Sequence, residues 1–347
     1  MDKIKESELY QEDIKSILSL NCDWNKIKGK SIIITGATGL IGTVITDMLI
    51  FLNIKFSLEL KLFLISRHEK KSEYDLLKYI SFDISKHFNI DDKFDYIIHA
   101  ASNTHPLQYS THPIETITTN TFGTYNLLNL CVKNSNCRFI LISSVEIYGN
   151  DIAKLSNGFS ENDCGYIDSN NVRSCYNESK RLSETLCAAY ASEKNIDYVI
   201  CRLCRSYGPT LKKDDSKALS QFLRNSINGE DIVLKSEGKQ FYSYIYSADA
   251  ASAILFLMLN GTSGEAYNIA DKKSNITLRK LATLISEYSN TKVIFKKPDQ
   301  NEQKGYSKSQ IAILNPDKLY NLGWKPFFNI KDGFERTIKI LKRHNID

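Results

Sequence analysis

The chain has 347 residues, 42% hydrophobic and 24% charged, and its 45 Lys and Arg against 40 Asp and Glu leave a formal charge of +5. That balance can bury a sizeable core and excludes intrinsic disorder as the main state. The length predicts two domains or one large α/β unit. The basic excess is slight and spread along the chain, which argues against nucleic acid as a partner but accepts an anionic small substrate.

The longest apolar run, 250–259, falls far short of the ~20 residues that span a bilayer, so no membrane partner is expected. The N-terminal stretch MDKIKESELYQEDIK is charged throughout and has no apolar segment of the secretory kind. Eight cysteines (22, 131, 137, 164, 175, 187, 201 and 204) are scattered without a disulfide-framework spacing, which leads to the expectation of a reducing cytoplasm. Cys201 and Cys204 have C-x-x-C spacing but sit in the apolar run YVICRLC with no His partner nearby, so strand packing is expected there rather than a metal.

In chain order, residues 6–28 read as one or two polar helices, so 1–28 is expected to form a helical extension ahead of the first strand. SIIITG (31–36) is a β-branched run ending in Gly, followed by a helical pattern over 40–52. KLFLIS (61–66), YISFD (79–83), DYIIHAAS (95–102), RFILISS (138–144) and DYVICRL (197–203) are further strand candidates, with helical stretches at 114–133 and 176–194. Near-continuous Ile, Leu and Phe runs suit parallel strands buried on both faces, and strand alternating with helix predicts a doubly wound, Rossmann-type α/β sheet over 29–209. Past Gly208-Pro209 the alternation weakens. A smaller mixed α/β substrate domain is expected from 210–243 and 271–347, with 244–270 returning to the large sheet.

Gly36, Gly39 and Gly42 stand in GATGLIG, with Thr38, Leu40 and Ile41 between them, directly after a strand and opening a helix. Glycines there permit a tight turn and close backbone approach to a pyrophosphate, and the helix N-terminus supplies N–H groups and a positive dipole end. The second strand ends Ser66-Arg67-His68 without the acid that would bind an NAD ribose. Ser66 and Arg67 could hold a 2′-phosphate, which leans the cofactor toward NADP over NAD. Asp83, with Ile84 beside it, is a candidate adenine contact, against the plainer reading of a surface Asp.

Tyr176 and Lys180 are four residues apart in YNESK and share one helix face. A Tyr is a poor base at neutral pH, with an unperturbed pKa of about 10. A nearby ammonium and a cationic nicotinamide would lower it, so that the phenolate takes a proton from a sugar hydroxyl as hydride leaves. A Ser at the end of the 138–144 strand can bond the same substrate oxygen, and Ser144 is preferred to Ser143.

GATGLIG, HAAS (99–102), NTFGTYNLL (120–128), ISSVEIYG (142–149), YNESK, SYGP (206–209) and LGWKP (322–326) occur in this order. From about residue 29 onward the chain resembles the extended short-chain dehydrogenase/reductase superfamily, in its nucleotide-sugar epimerase/dehydratase branch. The resemblance implies a tightly held NAD or NADP and a C-terminal domain for a nucleoside-diphosphate sugar. It makes Ser144, Tyr176 and Lys180 catalytic, with Tyr176 and Lys180 also at the cofactor. Ala100, Ala101, Ser102 and Asn120, in the matched motifs, become cofactor contacts. It further implies a homodimer in which 114–133 and the Tyr-x-x-x-Lys helix form a four-helix bundle.

Within that branch, Ser144-Val145-Glu146 is the most informative segment. It resembles the Thr-Asp-Glu of dTDP-glucose 4,6-dehydratases and the Thr-Ser-Glu of GDP-mannose dehydratases and UDP-glucuronate decarboxylases. It keeps the Glu but has Val145, which transfers no proton, where the first group has Asp. CYNESKRLSETL is most similar to the decarboxylases' version of its motif. However, the Arg of the relatives' R-x-F-x-Y segment is Tyr242 here, and the Asn three residues before Gly-Pro is Arg205, a candidate pyrophosphate or anion contact.

The favoured activity at this level is 4,6-dehydration, with Tyr176, Lys180 and Ser144 serving hydride transfer and Glu146 taking the C5 proton. Alternatives are a 4-epimerase, a UDP-glucuronate decarboxylase, a net 4-keto-sugar reductase or a non-catalytic dinucleotide sensor. Gln221 and Arg224 are further candidate nucleotide contacts, no metal is expected, and His99, His105 and His112 read as structural or loop residues.

Overall fold

The computed structural model describes residues 2–67, 74–88, 90–104, 106–150, 157–212, 215–296 and 311–343; His68 and His105 lie outside them. The chain begins with α1 (Asp2–Lys5), α2 (Glu8–Lys15) and two 3-10 turns, Ser16–Ser19 and Trp24–Ile27. The first half continues through β1 (Ser31–Thr35), α3 (Leu40–Phe56), β2 (Lys61–Ser66), β3 (Leu77–Ser81), β4 (Tyr96–His99), α4 (Pro106–Thr111), α5 (Pro113–Val132) and β5 (Arg138–Ser144). A 3-10 turn, Val145–Tyr148, precedes α6 (Ser174–Lys194), β6 (Asp197–Leu203), β7 (Arg205–Tyr207), α7 (Ala218–Asn228) and β8 (Ile232–Leu234). Then come β9 (Phe241–Tyr246), α8 (Ser247–Asn260), β10 (Glu265–Ile269), β11 (Asn275–Thr277), α9 (Leu278–Ser289), β12 (Val293–Phe295) and β13 (Ile311–Ala312). Helices Asp317–Leu322 and Ile330–Arg343 close the chain.

Seven parallel strands form the large sheet in the order β10-β6-β5-β4-β1-β2-β3. Ile32, Ile33, Ile34, Ile97, Ile98, Phe139, Ile140 and Leu141 are fully buried. Helices cover both faces of the sheet, so the apolar runs need not alternate. The strand order reverses between β1 and β4, and in such sheets this is where ligands enter, outside the carboxyl ends of the strands.

The smaller sheet is ordered β11-β9-β13, with β7 also pairing β9. The run 244–246, expected to rejoin the large sheet, belongs instead to β9, which pairs with β7, β11 and β13. The return begins with α8, which packs on α3, and ends with β10 at the sheet edge. The choice between sheets depends on partners far away in sequence, so the apolar run alone does not decide it.

The N-terminal extension is less polar than its composition suggests: Tyr10, Ile14, Ile17, Trp24 and Ile27 are all buried. Among the described residues no helix is long and apolar enough to cross a membrane, and no group of His, Cys, Asp and Glu could hold a metal ion.

Candidate active site

At the end of β1 the backbone turns at Gly36, whose φ of 67° is left-handed. A Cβ there would stand 2.8 Å from the backbone of Ala100 and Ala101, and one at Gly42 would collide with the Gly36 carbonyl. Only glycine permits this packing. Gly39 caps α3, so Leu40, Ile41 and Gly42 form the first turn, whose N–H groups and dipole suit a pyrophosphate; Thr38 sits just before the cap. Thr210 donates to the Leu40 carbonyl at 2.8 Å and ties the start of the second half to this turn.

The β4 end completes the cradle. Thr35 Oγ1 accepts from the Ala101 amide at 3.1 Å and lies 2.8 Å from His99 Nδ1. Burial, and then the charge of Lys180, push the His99 imidazole down to about 3, so it is a structural group and not a base. Ser102 donates to Asn120 Oδ1 at 2.7 Å, and Asn120, wholly buried, donates to Ser179 at 2.9 Å. A polar cavity of about 260 Å³ opens beside it, lined by Arg67, Ser102, Asn103, Glu115 and Lys212 among others. The Asn103 amide nitrogen is buried there without a partner among the described residues. A dinucleotide fits this donor set: glycine turn, helix start, cavity and orphan amide.

Other expected cofactor contacts are engaged elsewhere. Ser66 is buried at the end of β2, whereas exposed Arg67 pairs with Glu115 at 2.8 Å. Strand β3 stops at Ser81, and exposed Asp83 accepts from the amide and hydroxyl of Ser85, forming a local turn. Ile84 faces the core, where a Cβ on Gly123 would come within 2.7 Å of it. These positions therefore serve the turn and the core first.

The catalytic candidates converge from two elements. Strand β5 delivers Ser144 to its carboxyl end, where the Ser144 hydroxyl accepts from the Glu146 amide at 3.2 Å and starts the following 3-10 turn. Ser143, in contrast, donates at 2.5 Å to Glu184, which also pairs with Arg202, so Ser143 belongs to the scaffold. Helix α6 presents Tyr176 and Lys180 on one face. Lys180 donates to the Ile142 carbonyl at 2.8 Å, and its Nζ lies 6.0 Å from the centre of the Tyr176 ring. Burial pushes the Tyr176 phenol up to about 12; its bond with Ser144 opposes that shift and the Glu146 charge adds to it. Burial likewise pushes Lys180 down to about 8, opposed by Glu184.

Glu146 pairs with Arg205 at 3.3 Å. The Arg205 guanidinium lies 3.5 Å over the ring centre of Tyr242, and its Nη1 is buried with no partner among the described residues. Gln221 is not brought to this cluster: it is exposed on α7 and donates to Ser216, while Arg224 donates to the Asp215 carbonyl. Cys201 and Cys204 are free and buried.

The sequence reading missed two residues that hold the site. Asn177 donates to the Glu146 carbonyl at 2.7 Å, and Tyr109 stacks on Tyr176 at 4.8 Å. The place of Asn177 inside YNESK was the available signal for the first; Tyr109 had none.

A parallel sheet with a glycine turn at its switch point, a Ser at the end of β5 and a Tyr and Lys on the helix packed beside it define an extended short-chain dehydrogenase/reductase. The chain belongs to the NAD-dependent epimerase/dehydratase family, whose model matches residues 32–270. It is 25% identical over 320 residues to a UDP-glucuronic acid decarboxylase of Danio rerio, covering 90% of this chain and 73% of that protein. An Arabidopsis thaliana UDP-glucuronic acid decarboxylase is 28% identical over 312 residues, covering 87% and 86%. In fold it resembles the UDP-glucose 4-epimerase of Thermotoga maritima solved with UDP-glucose (TM-score 0.77, 20% identity, 90% of this chain and 99% of that one). It also resembles a dTDP-glucose 4,6-dehydratase of Bacillus anthracis in complex with NAD (TM-score 0.74, 18% identity, 90% and 97%).

Proposed function

We propose that this protein is an NAD-dependent decarboxylase of a nucleoside-diphosphate uronic acid, working through a transient 4-keto sugar. The observation that carries this reading is Arg205. The cation that the related R-x-F-x-Y segment supplies is Tyr242 here, yet a guanidinium from the paired strand lies over that same ring with one nitrogen unpartnered. A uronate carboxylate needs such a partner. Bound NAD would take a hydride from C4 and later return it. Tyr176 accepts the O4 proton, Ser144 bonds O4, and the Lys180 ammonium stands beside the Tyr176 ring. In the resulting β-keto acid the C5–C6 bond breaks, its electron pair passes to the C4 carbonyl as an enolate, and carbon dioxide leaves. A proton then adds at C5 and O4 regains its own.

Dehydration is the second reading, favoured by the Glu146 carboxylate beside Tyr176. It also requires an acid for the departing hydroxyl, and Val145 is a buried valine. The test is mass spectrometry of products from UDP-glucuronate and from UDP-, dTDP- and GDP-hexoses, run in heavy water. Loss of carbon dioxide with one deuterium gained supports decarboxylation; loss of water establishes the dehydratase. An altered sugar of unchanged mass makes it an epimerase, and falling NADPH absorbance makes it a reductase.

Two further points belong to this reading. Glu115 occupies Arg67, the cation expected to read a 2′-phosphate, which favours NAD over NADP. Ile114, Ile117, Phe122 and Tyr125 on α5 and Leu182 on α6 are exposed apolar residues, which suits a homodimer through these two helices. Light scattering of the full chain would show twice the monomer mass.

A further inference from the structure

The N-terminal extension has no part in the chemistry above, yet it carries two buried carboxylate junctions that face different halves of the molecule. On one side it reaches α3 of the large sheet. Tyr10 donates to Asp47 at 2.8 Å, and Lys5 pairs with the same carboxylate at 2.6 Å. On the other side Asp13, only 1% exposed, accepts from the Tyr246 hydroxyl at 2.5 Å and from Arg336 Nε at 2.6 Å. Arg336 also donates to the Leu9 carbonyl and to Glu12, so the C-terminal helix is held by the same turn.

A carboxylate this deeply buried costs several kcal/mol to desolvate, and an apolar residue of similar size would often stabilise the fold as well. Its distinctive property is geometric: its acceptor oxygens hold Tyr246 and Arg336 in one arrangement. Tyr246 ends β9, where it pairs with Tyr207, and Tyr244 pairs with Arg205. Tyr207 stacks at 4.1 Å on Phe334 of the same C-terminal helix. Tyr242, Tyr244 and Tyr246 share one face, and Tyr242, about 13 Å along the strand from Tyr246, carries the guanidinium of Arg205.

We propose that the N-terminal extension positions the sugar-binding strand, and that Asp13, through Tyr246, is the residue that holds Tyr242 and Arg205 in register with the dinucleotide half. The role assigned to Arg205 rests on the function proposed above; the anchoring of β9 does not.

The test uses the full-length protein with Asp13→Asn and, as a milder change that removes one hydroxyl, Tyr246→Phe. Amide exchange at 241–246 should accelerate while β1 and β2 remain protected. KM for the nucleotide sugar that the wild type turns over should rise about tenfold, a loss of 1.4 kcal/mol of binding, with kcat and NADH affinity within about twofold of wild type. Protected β9 amides and an unchanged KM, with only a lowered Tm, would overturn the proposal. Amide exchange requires no substrate, so faster exchange in a protein inactive on every uronate tried would uphold the anchor and reject the decarboxylase reading.

Discussion

The half proposed to hold the dinucleotide and the half proposed to hold the sugar build their sites in opposite ways. The first is nearly contiguous: β1, the glycine turn and α3 run from residue 31 to residue 56, and the turn packs its backbone against that of Ala100 and Ala101, with Thr35 Oγ1 accepting from the Ala101 amide. The second is assembled from distant pieces, with Glu146 after β5, Arg205 on β7, Tyr242 on β9 and an anchor from Asp13. A backbone-built site tolerates changes of side chain but no added Cβ at its glycines. A side-chain-built site depends on how distant strands pair, as Arg205 over the ring of Tyr242 illustrates.

The largest effect should come where the halves meet. Tyr176→Phe removes the proposed proton acceptor and should lower kcat by about a thousandfold, with NADH binding retained in a fluorescence titration. In the dinucleotide half, Gly36→Ala adds a Cβ 2.8 Å from backbone at a left-handed φ, so NADH affinity should fall by at least about a hundredfold and Tm should drop. Near-normal binding would break the contrast, since the turn would then be yielding. In the sugar half, Arg205→Leu should lower kcat/KM for a uronate by about a hundredfold while NADH affinity stays within about twofold. An equal loss on neutral hexoses would mean that the guanidinium reads the pyrophosphate instead.

The smallest effect concerns pH. His99 is held neutral down to about pH 3 by burial, whereas in the unfolded chain it takes a proton near 6.5. Its contribution is therefore complete above 6.5 and is lost as pH falls from 6.5 toward 3. Between pH 7 and about pH 5 this amounts to on the order of 2 kcal/mol. Denaturant unfolding of His99→Gln should show a correspondingly shallower loss across that interval.

Much of the first half was legible in the sequence because its signals are local. An Ile-rich run, a glycine turn and a helix pattern lie within one stretch, and a Tyr and Lys four residues apart share a helix face whatever surrounds them. Asp83 and Ile84 show the limit even there. A position after a strand does not by itself reveal its local partners: here the Asp bonds Ser85 and the Ile fills the space over Gly123. Gln221 shows a similar limit: its helix was legible, but the orientation of that helix is set by packing on α9 and the C-terminal helix.

The sequence by itself determined the sheet, the turn that suits a dinucleotide and the Ser144, Tyr176 and Lys180 set, because hydrophobic period, glycine φ and helix geometry act over a few residues. Tertiary structure alone decided that Tyr244 and Tyr246 leave the large sheet, that Arg205 lies over Tyr242 beside Glu146, and that Asp13 anchors Tyr246. The contacts of Arg205 with Glu146 and of Asp13 with Tyr246 join residues 59 and 233 positions apart. Strand pairing and the need to satisfy buried charge create them, and neither leaves a pattern in the local sequence.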